Sequence, residues 1–166
     1  SQDYADVLQP TINNMDKYSR GSVLVVAGSS RFPGAALMAA KAAARAGAGY
    51  VTLAVPVTIA PLLQQQVPEI PVVGMAADQG GTFAKQAIPA ILKLAERNSS
   101  TLVGPGMRVT AGTISVVSAL LNAEVPLVVD ADGLNCLSRL TNNALDQFPE
   151  VTRRDKPLVL TPHRRE

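Results

Sequence analysis

The chain contains no tryptophan, one cysteine and few aromatic residues. Of its 166 residues, 4% are aromatic and 47% are hydrophobic, so the core must consist mainly of Val, Leu, Ile and Ala. That composition is typical of a globular protein and suits helices packed closely on a parallel sheet. The single cysteine, Cys136, excludes a disulfide within the chain and favours a reducing compartment. A chain of this length fits a single domain.

A strong charge imbalance and long apolar runs are also missing. The net charge is +2, and the basic residues lack the interleaved aromatic residues that stack on nucleic-acid bases. No apolar run reaches the roughly 18 residues of a membrane-spanning helix. The first ten residues lack the charged start and apolar centre of a signal peptide. We therefore expect a cytoplasmic protein that binds neither nucleic acid nor membrane, with a polar N-terminal arm over residues 1–20.

Strand-like and helical segments alternate along the rest of the chain. Apolar runs predict strands at residues 23–27, 50–55, 70–73, 101–103, 126–129 and 157–160. Helices are predicted at 35–46, 58–66 and 83–97, then from Thr110 as the capping residue to Asn122, and briefly after Asp130. Pro89 is expected to interrupt or kink the third helix. This alternation indicates an α/β fold with a mostly parallel sheet flanked by helices, in which ligands bind at the C-terminal ends of the strands.

A glycine-containing loop joins the first predicted strand to the first helix. Residues 28–34 read Gly-Ser-Ser-Arg-Phe-Pro-Gly, and a helix rich in alanine follows. The unpaired N–H groups of a helix start can bind a phosphate or another anion. The loop matches neither the P-loop nor the dinucleotide-binding glycine pattern. From the loop alone, an anion site and a tight structural turn are equally supported.

Glycine and polar residues also follow three later strands. Gly104-Pro105-Gly106 would permit close approach of a ligand, although a plain turn explains this segment better when it is taken alone. Asp130 and Asp132 share a side if the strand continues that far, and could hold a metal, act as acid or base, or bind hydroxyls. Alternatively, Asp132 or Asn135 caps a turn or helix. We favour function, because a second carboxylate is more than a cap requires.

The only histidine, His163, follows the last predicted strand in Thr161-Pro162-His163. Without a cysteine or second histidine nearby, a structural zinc site is not expected. Its place after a buried strand favours contact with a ligand. Cys136 has no basic partner close in sequence, so we expect it to be buried and unreactive.

Seven short motifs occur in the order found in one known family. They are Lys-Tyr-Ser-Arg-Gly at 17–21, Val-Val-Ala-Gly-Ser at 25–29, Pro-Gly-Ala-Ala at 33–36, Arg-Ala-Gly-Ala-Gly-Tyr-Val-Thr at 45–52, Gly-Pro-Gly-Met at 104–107, Asp-Ala-Asp-Gly-Leu-Asn at 130–135 and Leu-Thr-Pro-His at 160–163. The ordered set resembles the ADP/ATP-dependent NAD(P)H-hydrate dehydratases. The resemblance implies a ribokinase-like fold, of which residues 21–166 would be the N-terminal part.

The resemblance also implies a reaction and a site. The family repairs hydrated NADH and NADPH: a nucleotide phosphorylates the hydroxyl of the hydrate, and elimination of phosphate regenerates the cofactor. ADP or ATP is then the phosphoryl donor, with Mg²⁺, and the protein is expected to be a homo-oligomer. Ala35, Gly106 and His163 would line the site for the hydrated cofactor, with Asp132 and Asn135 close by. No residue of the chain is assigned a catalytic role or a metal.

The sequence departs from the family pattern in two places. Arg164-Arg165-Glu166 stands where the family usually has Pro-Gly-Glu after the histidine, so the arginines become candidates for phosphate contact. The chain also ends before the family's lysine-containing nucleotide segment and its Gly-Thr-Gly-Asp motif, whose aspartate is the expected base. On this resemblance we expect a truncated domain, part of a longer protein, that is not competent for the reaction alone.

Two other functions stay open on the sequence. A ribokinase-fold kinase that acts on a small vitamin-like alcohol would look similar in this half, although residues 104–106 and His163 favour the dehydratase. A non-catalytic module that binds nucleotide or serves in assembly would show no turnover, even when an intact C-terminal half is supplied.

Overall fold

A computed structural model describes residues 20–141 and 154–163 of the chain. Within these ranges, six parallel strands form one sheet in the order β3-β2-β1-β4-β5-β6. The strands are β1 (Ser22–Val26), β2 (Tyr50–Pro56), β3 (Val72–Met75), β4 (Ser100–Val103), β5 (Leu127–Val129) and β6 (Leu158–Leu160). The predicted α/β fold with a parallel sheet is therefore confirmed. Residues 1–19 of the predicted arm lie outside the described ranges, as do Arg164 and Arg165.

Helices cover both faces of the sheet. They are α1 (Pro33–Arg45), α2 (Ala60–Gln66), α3 (Ile88–Ala95), α4 (Ala111–Asn122) and α5 (Asp132–Thr141), with a 3₁₀ turn at Lys85–Ala87. The prediction that Pro89 interrupts or kinks a helix over 83–97 is wrong. Pro89 lies in the first turn of α3, where its missing N–H costs no hydrogen bond, so it begins the helix instead. None of the described helices combines the length and the apolar composition that a membrane span requires.

The predicted cap of α4 is confirmed in detail. The Thr113 N–H donates to Thr110 Oγ1 at 3.3 Å, and the Thr110 N–H donates to Thr113 Oγ1 at 2.8 Å. Two N–H groups at this helix start are thus satisfied reciprocally. The cap places the start of α4 beside the loop that follows β4.

The strand β1 is buried on both faces, as its continuous apolar run predicts. Leu24 and Val26 pack on the side of α3, α4 and α5, whereas Val25 packs on the side of α1 and α2. Ala36 and Ala40 of α1 are fully buried against the sheet. Because alanine is small, α1 lies close to the strands and its first turn reaches their C-terminal edge.

Cys136 is fully buried on α5, as expected. Burial raises the pKa of its thiol to about 11, and its Sγ lies 3.7 Å from Thr113 Oγ1. A thiol with such a pKa carries almost no thiolate near neutral pH, which is the reactive form. Cys136 therefore acts as a core side chain.

The hydroxyl of Thr101 is buried in the core, and its removal tests how much an unpaired buried hydroxyl destabilises the fold. Thr101 Oγ1 on β4 has no hydrogen-bond partner among the described residues. Because an unpaired buried hydroxyl costs about 1–3 kcal/mol and valine has nearly the same shape, we expect Thr101→Val to raise the free energy of unfolding by about 1 kcal/mol. Urea denaturation of the full chain measures the change.

The matched control is Thr113→Val, which alters another fully buried threonine. The Thr113 hydroxyl donates to the Arg108 carbonyl at 2.8 Å, so its removal leaves a partner unpaired and should lower the free energy of unfolding. The assignment of Thr101 as unpaired would be contradicted if Thr101→Val lowered the free energy of unfolding. It would also be contradicted if both substitutions changed this free energy in the same direction.

Candidate functional site

The order of the strands reverses between β1 and β4. In open parallel sheets, ligands bind in the crevice at such a point, outside the C-terminal ends of the strands. The two loops at this point are held together by hydrogen bonds. The Gly28 N–H donates to the Pro105 carbonyl at 2.8 Å, and the Ser29 hydroxyl donates to the Gly106 carbonyl at 2.7 Å. The glycine loop and the Gly104-Pro105-Gly106 segment therefore form one continuous rim.

Gly106 lies directly against the first turn of α1. Its φ is 67°, and a Cβ added there would lie 2.7 Å from the Ala35 Cβ and 3.0 Å from the Phe32 carbonyl oxygen. Only glycine fits without moving the helix. The structure thus brings together two of the predicted site residues, Ala35 and Gly106, in a contact between backbone and small side chain.

Gly104 permits a second close approach. Its φ is 131°, and an added Cβ would lie 1.8 Å from the Asp130 carbonyl oxygen and 2.7 Å from the Gly133 nitrogen. The loop after β4 is thereby packed against the start of α5. Both glycines of this segment are therefore required by close contacts with other segments of the chain, which a plain turn would not demand.

The strand does not continue to the two carboxylates, so the condition under which Asp130 and Asp132 would share a side is not met. The strand β5 ends at Val129, Ala131 has a φ of 49°, and Asp132 is the first residue of α5. The left-handed conformation at Ala131 turns the chain between the two carboxylates. Asp130 Oδ1 consequently accepts from the Thr161 hydroxyl at 2.7 Å.

Asp132 reaches across to the loop after β4. Its Oδ2 accepts from the Arg108 N–H at 2.8 Å, and its Oδ1 lies 3.5 Å from the Asn135 Nδ2, a hydrogen bond at the limit of length. Its place in the first turn of α5 also lets its negative charge interact favourably with the helix dipole. Asp132 and Asn135 are thus neighbours, and Asp132 orders the loop after β4.

His163 is exposed after β6. Two residues earlier, the Thr161 N–H donates to the Val129 carbonyl at 3.2 Å, and its hydroxyl donates to Asp130. These bonds hold the segment of His163 beside the end of β5. Among the described residues, no group of three His, Cys, Asp or Glu side chains is placed to hold a metal ion.

The loop after β3 belongs to the same rim, which the sequence reasoning missed. Asp78 Oδ1 accepts from the Thr82 N–H at 2.8 Å, and its Oδ2 accepts from the Thr82 hydroxyl at 2.7 Å. The Gly81 carbonyl accepts from the Ser30 N–H at 2.9 Å, which joins this loop to the glycine loop. An aspartate two residues before a Gly-Gly pair is a turn signal that could have drawn attention to this loop.

Asp78 makes the free energy of unfolding depend on pH in the acidic range. The hydroxyl and N–H of Thr82, with smaller contributions from Gly80 and the Arg108 guanidinium, hold the pKa of the Asp78 carboxyl below its ordinary value of 3.8. Because the folded pKa is the lower one, the stabilisation is present above the unfolded value and is lost as pH falls through the folded value. We expect Asp78→Ala to lower the free energy of unfolding by about 1.5–3 kcal/mol at pH 7, with the difference shrinking below pH 3.8.

Thermal unfolding measured from neutral pH to pH ~2 provides the measurement. Glu69→Ala, at an exposed position, serves as the control for the change in net charge. If the difference between Asp78→Ala and the unmodified chain stayed constant down to the lowest pH, the assigned role of the carboxylate would be wrong.

Comparison with known proteins places the chain in a family. A model of the family described as NAD(P)H-hydrate dehydratase matches residues 23–166. The chain belongs to the NAD(P)H-hydrate dehydratase family. It is 42% identical over 149 residues to a bifunctional NAD(P)H-hydrate repair enzyme of Salinibacter ruber, an alignment that covers 89% of this chain and 26% of that protein. The resemblance seen in the seven ordered motifs is confirmed.

Solved structures agree with the fold. A ribokinase-like superfamily protein of Enterococcus faecalis superposes with a TM-score of 0.76 at 22% identity, over 99% of this chain and 53% of that one. An ADP/ATP-dependent NAD(P)H-hydrate dehydratase of Bacillus subtilis, co-crystallised with ATP and Mg²⁺, gives 0.69 at 25% identity, over 98% and 52%. The fold is therefore ribokinase-like. The sequence spans about a quarter of the Salinibacter relative and about half of these two structures.

Proposed function

We propose that the complete protein dehydrates hydrated NADH and NADPH, with ADP or ATP as the phosphoryl donor. The observation that carries this proposal is the family match over residues 23–166. In the proposed reaction, a phosphoryl group passes from the nucleotide to the hydroxyl of the hydrate. The C–O bond then breaks, and phosphate leaves with the bonding electrons. Loss of a proton from the neighbouring carbon restores the double bond of the cofactor.

In this proposal, the rim at the strand ends holds the hydrated dinucleotide. Ala35 and Gly106 form one wall, where the loop after β4 packs directly on the first turn of α1. Asn135 and His163 supply exposed polar groups. Asp132 acts by ordering the loop after β4, because one carboxylate oxygen is already bound to the Arg108 N–H. None of these five residues is assigned proton transfer in the reaction.

Mg²⁺ belongs to the proposal as the companion of the nucleotide. The described residues do not fit a metal centre of their own, because they contain no suitable group of three ligands. No step is therefore assigned to a metal held by this part of the chain.

The proposal also includes a cytoplasmic location and a homo-oligomeric state. The free Cys136 supports the cytoplasmic location. Size-exclusion chromatography with light scattering tests the oligomer.

Incubating the complete protein with hydrated NADH and ADP, and in parallel with ATP, tests the function. The absorbance of the reduced cofactor should return with at least one nucleotide and stay low without nucleotide. No recovery with either nucleotide would reject the dehydratase. Nucleotide consumption with a small vitamin-like alcohol, and none with the hydrate, would identify the kinase instead.

A further inference from the structure

Arg108 is held in an unusual backbone conformation beside the proposed substrate wall. It lies two residues after Gly106, and its φ is 63°, which side chains other than glycine rarely adopt. Two hydrogen bonds hold it there. Its N–H donates to Asp132 Oδ2 at 2.8 Å, and its carbonyl accepts from the Thr113 hydroxyl at 2.8 Å. Residues of α4 and α5 therefore fix the backbone of Arg108, and with it the direction of the Cα–Cβ bond from which the side chain extends.

The side chain of Arg108 extends to the loop after β3. A Cβ added at Gly80 would lie 4.0 Å from Arg108 Nη1 and 3.4 Å from Asp78 Oδ1. The residue is half-buried, so its guanidinium loses part of its contact with water. The Arg108 side chain thus begins in the loop after β4, which contains Gly106, and its guanidinium lies near the loop after β3, which contains Asp78.

The guanidinium has donors to offer to a ligand. It carries five N–H groups, and no described residue accepts a hydrogen bond from them. Asp78 is the neighbouring anion and interacts with the guanidinium through its charge, whereas the hydrogen bonds that its carboxylate accepts come from Thr82. A planar guanidinium with its donors available matches the oxygens of a phosphate, which it can bind through two parallel hydrogen bonds.

We propose that Arg108 binds a phosphate group of the dinucleotide substrate. This inference rests on the proposed function, because it takes the rim beside Ala35 and Gly106 as the substrate site. Hydrated NADH and hydrated NADPH share a pyrophosphate, and hydrated NADPH carries one further phosphate. Either group could present phosphate oxygens to Arg108. A comparison of the two substrates shows whether the pyrophosphate or the additional phosphate is bound.

Arg108→Gly removes the side chain without straining the backbone, since glycine adopts a φ of 63° freely. We expect the KM for the hydrate to rise about tenfold to a hundredfold, with a much smaller change in kcat. Arg108→Lys, which keeps the charge but not the planar fork, should give an intermediate KM. Arg45→Gln is the control, because it removes the same charge from the exposed last turn of α1.

The substrate comparison identifies the phosphate. Equal increases in KM with hydrated NADH and hydrated NADPH indicate the pyrophosphate, and an increase with hydrated NADPH alone indicates the additional phosphate. Either outcome supports the proposal. A KM for Arg108→Gly that equals that of Arg45→Gln with both substrates overturns it.

Calorimetric binding of hydrated NADPH to the complete protein, without nucleotide, separates this inference from the proposed function. If the unmodified protein binds the hydrate but does not turn it over with ADP or ATP, the proposed reaction fails. Weaker binding by Arg108→Gly, by about tenfold, still supports the phosphate contact in that case. Unchanged binding by Arg108→Gly, or no binding by the unmodified protein, overturns the contact.

Discussion

Gly104→Ala is expected to lower the free energy of unfolding by about 3–5 kcal/mol. The backbone φ of 131° is unfavourable for any side chain, and the new Cβ would lie 1.8 Å from the Asp130 carbonyl oxygen. Because the atoms in its way belong to the backbone, rotation of a side chain cannot relieve the clash. The loop after β4 and the start of α5 must separate, and the core between them opens.

Urea denaturation of the full chain measures this loss. Gly34→Ala is the matched control: it makes the same change in the exposed first turn of α1, where no described atom lies within 4 Å of the added Cβ. Since alanine favours helix more than glycine, Gly34→Ala should be neutral or stabilising by up to about 1 kcal/mol. Equal effects of the two substitutions would show that the contact at Gly104 is not as tight as the structure has it.

Gly106→Ala is expected to reduce kcat/KM for the hydrate about a hundredfold in the complete protein. The new Cβ would lie 2.7 Å from the Ala35 Cβ, so the loop after β4 and α1 must move apart. This contact forms one wall of the proposed substrate site. A displacement near 1 Å at such a wall can cost about two orders of magnitude in rate, because the ligand is no longer held in the reactive position.

Gly47→Ala controls for backbone strain alone. Gly47 has a φ of 99°, but no described atom lies within 4 Å of its added Cβ, and it follows α1 at the opposite edge of the sheet. We expect this variant to lose about 1 kcal/mol of stability and to keep its kcat/KM once folded. Recovery of cofactor absorbance measures both variants. Unchanged kcat/KM in Gly106→Ala would remove Gly106 from the proposed site.

Several features follow from local sequence because a few neighbouring residues decide them. The apolar run at 23–27 requires burial on both sides, and the structure buries Leu24 and Val25 on opposite faces of the sheet. Thr110 lies before an apolar segment and caps α4. Short runs that alternate with helices leave a parallel sheet as the main solution, so the loops after the strands could be placed at one edge in advance.

The roles of the two carboxylates depended on backbone conformation that local preferences do not specify. Alanine rarely adopts a φ of 49°, yet Ala131 does, and this separates Asp130 from Asp132. The bond from the Arg108 N–H to Asp132 joins positions 24 residues apart. No pattern in the sequence indicated that pair or the contact of the Asp78 loop with Ser30.

The sequence by itself determined the fold class, the family and the edge of the sheet where the site was expected. Those properties rest on apolar periodicity, glycine positions and ordered motifs, each of which is local. The tertiary structure alone decided which residues meet across that edge: Gly106 with Ala35, Asp132 with Arg108, and Gly104 with Asp130. These contacts arise where separate loops pack within a few ångströms of each other, and only the assembled sheet sets that distance.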